Sequence, residues 1–338
     1  MPGMPHATAV LGNSGLSVTR LGFGGAPLGG WPAAIDEATA IATVDAAWEL
    51  GVRYFDTAPY YGYGQSERWL GAALQRHPRD EYVLSTKVGR LVRRASVGGP
   101  RFFDAATADD VVTDYSSDGA RRSIEESLER LGVDRIDIAL VHDPDGRLDE
   151  AVEGALRGLA ALREDGVLRA IGAGMNDAGA LASLVRRADL DCVLLAGRYT
   201  LLDQVGMQEL LPLAVERGCS IIAGGVFNSG VLAAPRPGAM FDYRPAEHAI
   251  VERALAIEEV CERHAVAVQA AALQFPLAHP AVATVVTGVR SPGEIRQNDA
   301  WTRVPIPDAL WDDLRAAGLL PPDVPTPRAS STREGTRN

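Results

Sequence analysis

Along most of the chain, a short run rich in β-branched residues precedes a longer stretch with helical periodicity, and this pair of signals keeps recurring. Such alternation specifies an α/β fold with parallel strands. After an expected hairpin over AVLGNSGLSVTRLG, the first strand ends at LGFGG, and a helix follows over about Asp36 to Leu50, with Ile41, Val44, Ala47 and Trp48 on one face. VRYFDTA, YVLSTKVG, RIDIALVHD, RAIGAG, DCVLLAG, SIIAGGVF and ATVVTGV supply seven further strands. The helices between them include SERWLGAALQRH, where Ser66 is the expected N-cap, and DGARRSIEESLERLG, which Gly132 ends. Two segments, Arg90–Ser117 and Asn228–Glu247, show neither pattern and read as long irregular loops.

Eight strand–helix pairs can close into a barrel or lie in an open doubly wound sheet. The barrel is the better reading. The count reaches eight before any second domain appears, and LGFGGAPLGG does not give the GxGxxG of a dinucleotide-binding first turn. No acidic residue stands about 20 positions on at a strand end. The expectation is one (β/α)8 TIM barrel over residues 1–320, with an N-terminal hairpin and long loops at the C-terminal face. Residues 321–338, mostly Pro, Ser, Thr and Arg, read as a flexible tail.

A formal net charge of −11 argues against nucleic acid or an anionic membrane as a partner. Cys192, Cys219 and Cys261 have no CxxC spacing and suit small core positions in a reducing compartment. The opening MPGMPHATAV has neither a cationic start nor an apolar run, and no stretch reaches ~18 uninterrupted apolar residues, so a cytoplasmic protein is expected. The histidines show no HxH or HExxH spacing, and no metal is expected. The sequence is silent on oligomeric state.

Catalytic groups of such a barrel sit at the C-terminal ends of its strands. Three consecutive strands place polar residues there: Asp56 and, in the following loop, Tyr61; Lys87; and His142. Singly, these residues read as a turn former, a packed aromatic, an ion-pair member and a turn histidine. Together they describe one chemistry. A carbonyl that accepts hydride needs a proton donor, and the reverse reaction needs a base. Tyrosine, with an ordinary pKa of ~10, is a poor base near neutrality, and a neighbouring ammonium favours its phenolate. Lys87 is placed to supply that charge, Asp56 to hold Lys87, and His142 to orient the substrate oxygen.

FDTAPYYGYGQSE, STKVGR and VHD resemble the tetrad motifs of the aldo-keto reductases, including the spacing of five from Asp56 to Tyr61. The resemblance spans roughly residues 8–318. It implies Tyr61 as acid/base, Lys87 and Asp56 as its tuning pair, His142 as the orienting residue, and a nicotinamide dinucleotide as cofactor. VGRLVRR, IGAGMN, AGRYTLLDQ and AGGVFNSGVLA are similar to the bacterial aldose 1-dehydrogenase branch, close to pyridoxal 4-dehydrogenase. This implies oxidation of a sugar such as L-fucose, D-arabinose or L-galactose at C1 to its lactone. The alternatives are a reductase of aldehydes or ketones and, in another class, a non-catalytic binding subunit.

The cofactor segments depart from the wider family. Its Ser-Asn pair after strand five falls on Gly174 and Met175, its strand-six Gln on Ala196, and its ring-stacking Tyr on Gly224. The resemblance then leaves Asn176, Arg198, Gly224 and Phe227 to hold the nicotinamide. In TGVRSPGEIRQN, Gln297 and Asn298 match residues that hold the adenine, and Gly288 and Glu294 fall where cations often meet a 2′-phosphate. A carboxylate there repels phosphate, which favours NAD over NADP, although Arg290 and Arg296 lie close by. The Arg90–Ser117 loop is expected to cover the substrate mouth.

Overall fold

The structure is a computed structural model and describes residues 6–94, 102–105 and 107–328. Strands β1 (Thr8–Leu11) and β2 (Leu16–Thr19) pair as a hairpin. Then come β3 (Leu21–Gly24), α1 (Glu37–Glu49), β4 (Tyr54–Asp56), α2 (Gln65–Leu74), β5 (Val83–Val88), the short strands β6 (Arg90–Arg94) and β7 (Asp109–Thr113), α3 (Ser117–Leu131) and β8 (Ile138–His142). α4 (Leu148–Glu150) continues through a π-helical turn into α5 (Arg157–Glu164). β9 (Ala170–Met175), α6 (Ala178–Arg187), β10 (Cys192–Ala196), α7 (Leu210–Arg217) and β11 (Ser220–Gly224) complete the regular alternation. A two-residue-stranded hairpin, β12 (Met240–Phe241) and β13 (Arg244–Pro245), precedes α8 (His248–Arg263), α9 (Val268–Gln274), β14 (Val282–Gly288), α10 (Pro292–Thr302) and α11 (Asp308–Ala316).

β3, β4, β5, β8, β9, β10, β11 and β14 run parallel and close into a barrel through the pairing of β14 with β3. Strand alternation divides its residues in two. Leu84 and Val88 face the helices, where they join the main core with Ala120, Ile124 and Leu131 of α3. That helical face repeats at i, i+4, i+7 and i+11, between an N-cap at Ser116, whose Oγ accepts from the Gly119 amide, and a left-handed stop at Gly132 (φ 63°). Tyr54, Val83, Ile138, Leu140, Leu194 and Ile222 fill the barrel interior, and Leu11, Leu16 and Val18 of the N-terminal hairpin plug it. The hairpin meets the start of β11, where the Gly12 amide donates to Ser220 Oγ (2.7 Å), so it closes the N-terminal end and leaves the opposite mouth open.

Several segments differ from the sequence reading. Ser66 does not cap α2. Gly64, at φ 87°, precedes the helix, and Ser66 Oγ instead bonds Gly25 O (2.7 Å) and Thr57 Oγ1 (2.9 Å), tying the first two strand-end loops together. The Arg90–Ser117 segment contains the β6–β7 ladder, in which Arg93 opposes Asp110 and Arg94 opposes Asp109. These charged pairs hide the strand signal, which rests on apolar alternation. The Asn228–Glu247 segment holds the β12–β13 hairpin, whose Asp242 and Tyr243 both take positive φ (48° and 61°), as a tight two-residue turn requires. Past residue 320, Val324 is buried, and Arg315 donates to Val324 O (3.2 Å) and Thr326 Oγ1 (2.9 Å). Residues 329–338 lie outside the described residues.

Candidate active site

Alternation along each strand also decides what lines the mouth. The last inward position of β4 is Asp56, of β5 Lys87 and of β8 His142, and all three are buried. On the next three strands the last inward positions are Gly174, Ala196 and Gly224. One half of the mouth is therefore polar and the other half bare. A Cβ added at Gly174 would stand 3.6 Å from Lys87 Cε, which shows how near the bare half comes to the ammonium.

The polar half is tightly connected. Lys87 Nζ donates to Asp56 Oδ2 (2.6 Å) and to Thr57 O (3.0 Å) and lies 4.7 Å from the centre of the Tyr61 ring. Asp56 Oδ1 accepts from Ser85 Oγ (2.7 Å), which is itself 3.0 Å from Tyr54 Oη. The Tyr61 and His142 rings meet edge to face at 5.6 Å. The four residues singled out in the sequence thus come together.

Below them, Glu67 is fully buried. It accepts from Thr86 Oγ1 (2.7 Å) next to Lys87 and from Arg130 Nε (2.6 Å). A Cβ at Gly64 would strike Arg130 Cδ at 2.8 Å, so the loop that carries Tyr61 rests on that arginine. No local pattern marks this support, because the partners lie 63 residues apart.

The electrostatics correct one expectation. Burial pushes the Tyr61 phenol above its ordinary pKa, Lys87 pulls it down, and burial wins. Burial disfavours the Lys87 ammonium, but Asp56 and Tyr61 together hold its pKa above the usual lysine value. Burial, then Lys87 and Arg90, drive the His142 imidazole well below its ordinary range, so it is neutral. The resting site is thus a protonated phenol beside an ammonium and a neutral imidazole.

Aromatic rings wall the mouth. Phe103 packs against Tyr60, Tyr61 and Tyr63, and Trp31 stacks on Phe102 and meets Tyr243 edge-on (4.9 Å). The described part of the Arg90–Ser117 segment therefore reaches the mouth, while residues 95–101 and 106 lie outside the described residues. Trp31 and Tyr243 were not singled out from sequence. Tyr243 reaches the site only because of the left-handed hairpin turn that carries it.

The expected cofactor residues have varied placements. Asn176 is exposed just beyond β9. Arg198 is committed to Asp242 through two hydrogen bonds (3.0 and 2.6 Å) and so anchors the β12–β13 hairpin rather than pointing free. Phe227 packs edge-on against Trp301 of α10 (6.2 Å). Gly224 and Gly288 end adjacent strands, and a side chain at Gly288 would meet Pro27 Cγ at 2.8 Å. Asn298 is buried on α10 while Gln297 is exposed. Glu294 takes the Arg290 amide (2.7 Å), and its carboxylate lies 3.8 Å from that arginine's guanidinium. Arg296 turns toward Glu49 at 3.7 Å.

A dinucleotide suits this ground. Gly174, Gly224, Gly225 and Gly288 leave the strand ends without side chains from beside Lys87 to the N-terminus of α10. Along the same edge, Asn228 Oδ1 and Thr287 Oγ1 are buried without a hydrogen-bond partner among the described residues. Among the described residues, no three His, Cys, Asp or Glu side chains converge to hold a metal ion, and no helix is long and apolar enough to cross a membrane.

Known proteins resemble this chain over most of its length. Residues 20–318 match the Aldo/keto reductase family. The chain is 44% identical to pyridoxal 4-dehydrogenase of Microbacterium luteolum, with 92% of this chain and 97% of that one covered. It is 43% identical to D-threo-aldose 1-dehydrogenase of a Pseudomonas species, over 91% and 96%. The holo form of an aldo-keto reductase from Bacillus halodurans superposes with a TM-score of 0.74 at 26% identity, covering 97% of this chain and all of that one. On motif, barrel and match together, the chain belongs to the aldo/keto reductase family of oxidoreductases.

Proposed function

We propose that the protein is an NAD(P)-dependent aldose 1-dehydrogenase, in which Tyr61 takes the proton of a cyclic hemiacetal hydroxyl while hydride leaves C1. The observation that carries this reading is the buried Lys87–Asp56 pair against the Tyr61 ring, with the side-chain-free Gly174 beside Lys87. The similarity to D-threo-aldose 1-dehydrogenase supports the sugar as substrate. When bound, the nicotinamide accepts the hydride.

The chain's own residues do the rest. Neutral His142 hydrogen-bonds the hydroxyl oxygen and aligns it with Tyr61. The resting Tyr61 phenol first gives its own proton to solvent; Lys87 stabilises the resulting phenolate, which then takes the hydroxyl proton, and Asp56 keeps the ammonium in place. The product lactone is neutral, and the phenol is left protonated. The same groups in reverse protonate a carbonyl, so reduction of aldehydes is the microscopic reverse and not a separate design. Oxidation of pyridoxal is a second reading, favoured by the 44% identity to pyridoxal 4-dehydrogenase and by the ring-walled mouth of Trp31, Phe102 and Tyr243.

NAD is favoured over NADP because Glu294 stands in the first turn of α10 and holds Arg290. Steady-state oxidation of an aldose panel (L-fucose, D-arabinose, L-galactose) and of pyridoxal with each cofactor tests the reading. Turnover of at least one aldose is expected, with kcat/KM higher for NAD. Failure with every aldose rejects it. Glu294→Gln is expected to shift the NADP/NAD ratio of kcat/KM toward NADP on the order of tenfold, by removing a charge and releasing Arg290. An unmoved ratio removes Glu294 from cofactor choice.

A further inference from the structure

Next to His142 stands a carboxylate that the mechanism above does not use. Asp143 follows β8 with φ at 42°, in the left-handed region, and is followed by Pro144. Such a conformation persists only when its surroundings impose it. Here they do. The Asp143 amide donates to Gly174 O (3.0 Å), and its carbonyl accepts from Tyr115 Oη (2.6 Å). The Tyr115 hydroxyl also reaches His142 O (2.7 Å). One tyrosine therefore fixes the backbone of both residues.

The consequence is where the side chain goes. Asp143 Oδ2 lies 3.5 Å from His142 Nε2 and 3.0 Å from Arg90 Nη2. Arg90 is in turn held over the Tyr60 ring (4.4 Å), whose centre is 6.2 Å from that of His142. Among the described residues, no donor reaches Oδ1. The side chain keeps about a third of its surface exposed at a mouth otherwise walled by rings.

An ionised carboxylate is an acceptor only, and the hydroxyl next to the reacting carbon of a sugar is a donor. A plain aldehyde offers none. A fixed acceptor beside the group that orients the reacting oxygen is suited to the neighbouring hydroxyl of a sugar ring. Burial raises the Asp143 pKa and Arg90 opposes that rise while aiming the carboxylate, and the ionised carboxylate makes the hydrogen bond a charge-assisted one.

We propose that Asp143 is a specificity-determining residue that accepts a hydrogen bond from a ring hydroxyl next to the reacting carbon, so that the substrate class is a polyhydroxylated cyclic hemiacetal rather than a simple carbonyl. This rests on the aldose reading above and deepens it.

The test is a cycle between one side chain and one substrate hydroxyl. kcat/KM is measured for wild type and Asp143→Asn on the aldose of the panel above that wild type turns over best and on its singly deoxygenated analogues. Asparagine tolerates the left-handed backbone, so the variant keeps the loop conformation, and an unchanged Tm verifies this. Wild type is expected to lose on the order of 10²-fold when the recognised hydroxyl is removed. Asp143→Asn is expected to show that loss already with the full sugar and little more with the matching deoxy sugar. Losses that multiply at every position, or a variant as good as wild type on the full sugar, overturn the assignment. Wild type that turns over none of the sugars sinks the aldose reading itself, a result distinct from a failed cycle.

Discussion

Tyr61→Phe is expected to lower kcat for aldose oxidation by about 10³-fold or more while leaving the Kd for the nicotinamide cofactor within about threefold. The substitution removes one oxygen and no packing surface. Tyr61 is half-buried, with its ring against His142 and Phe103, and phenylalanine keeps both contacts. Removing a buried hydroxyl whose neighbour Lys87 retains Asp56 and Thr57 O leaves little unsatisfied. Thermal stability should therefore stay near wild type. The lost rate corresponds to about 4 kcal/mol of transition-state stabilisation. Turnover close to wild type, with the cofactor bound normally, would remove Tyr61 from the chemistry.

Lys87→Met should damage both activity and fold. Lys87 is 1% exposed and Asp56 4%, and the carboxylate keeps only Ser85 Oγ once the ammonium is gone. Breaking one side of a buried ion pair costs about 3–5 kcal/mol. Activity should fall by about 10²–10⁴-fold, because burial then raises the phenol pKa unopposed. The double variant Asp56→Asn/Lys87→Met separates the two effects. It carries no orphan charge, so chemical denaturation should show much of the stability restored, while turnover stays at the level of the single variant. Restored turnover in the double variant would mean that the ammonium acts only as structural ballast for Asp56.

The reach of the sequence follows from which signals are local. Asp56, Lys87 and His142 could be placed together because period-two alternation at a strand end fixes the side-chain direction, and adjacent strands then do the rest. Tyr61 followed from a short spacing. Glu67 and Arg130 did not, since their role depends on two helices packing behind the strands. Arg198 read as a cofactor contact because its partner, Asp242, is 44 residues away on a hairpin of two-residue strands too short to show a pattern. Ser66 looked like a helix cap, but the observed N-cap is Gly64, two residues earlier. Asp143 was not singled out, because Tyr115, 28 residues upstream, is what freezes its turn against the mouth. The direction of the Tyr61 pKa was also out of reach, because a nearby ammonium is visible in sequence and the depth of burial that outweighs it is not.

The central claim is that Tyr61 exchanges a proton with the substrate oxygen as C1 gives up hydride. It is tested most directly by oxidising an aldose deuterated at C1 across pH 6–11 and following the label and the rate together. The account predicts deuterium in the reduced nicotinamide, a primary isotope effect on kcat/KM, a rate that rises with pH, and no inflection near the ordinary imidazole pKa of ~6.5, since His142 is held neutral. Deuterium lost to solvent, or a rate governed by a group titrating near 6.5, would contradict it.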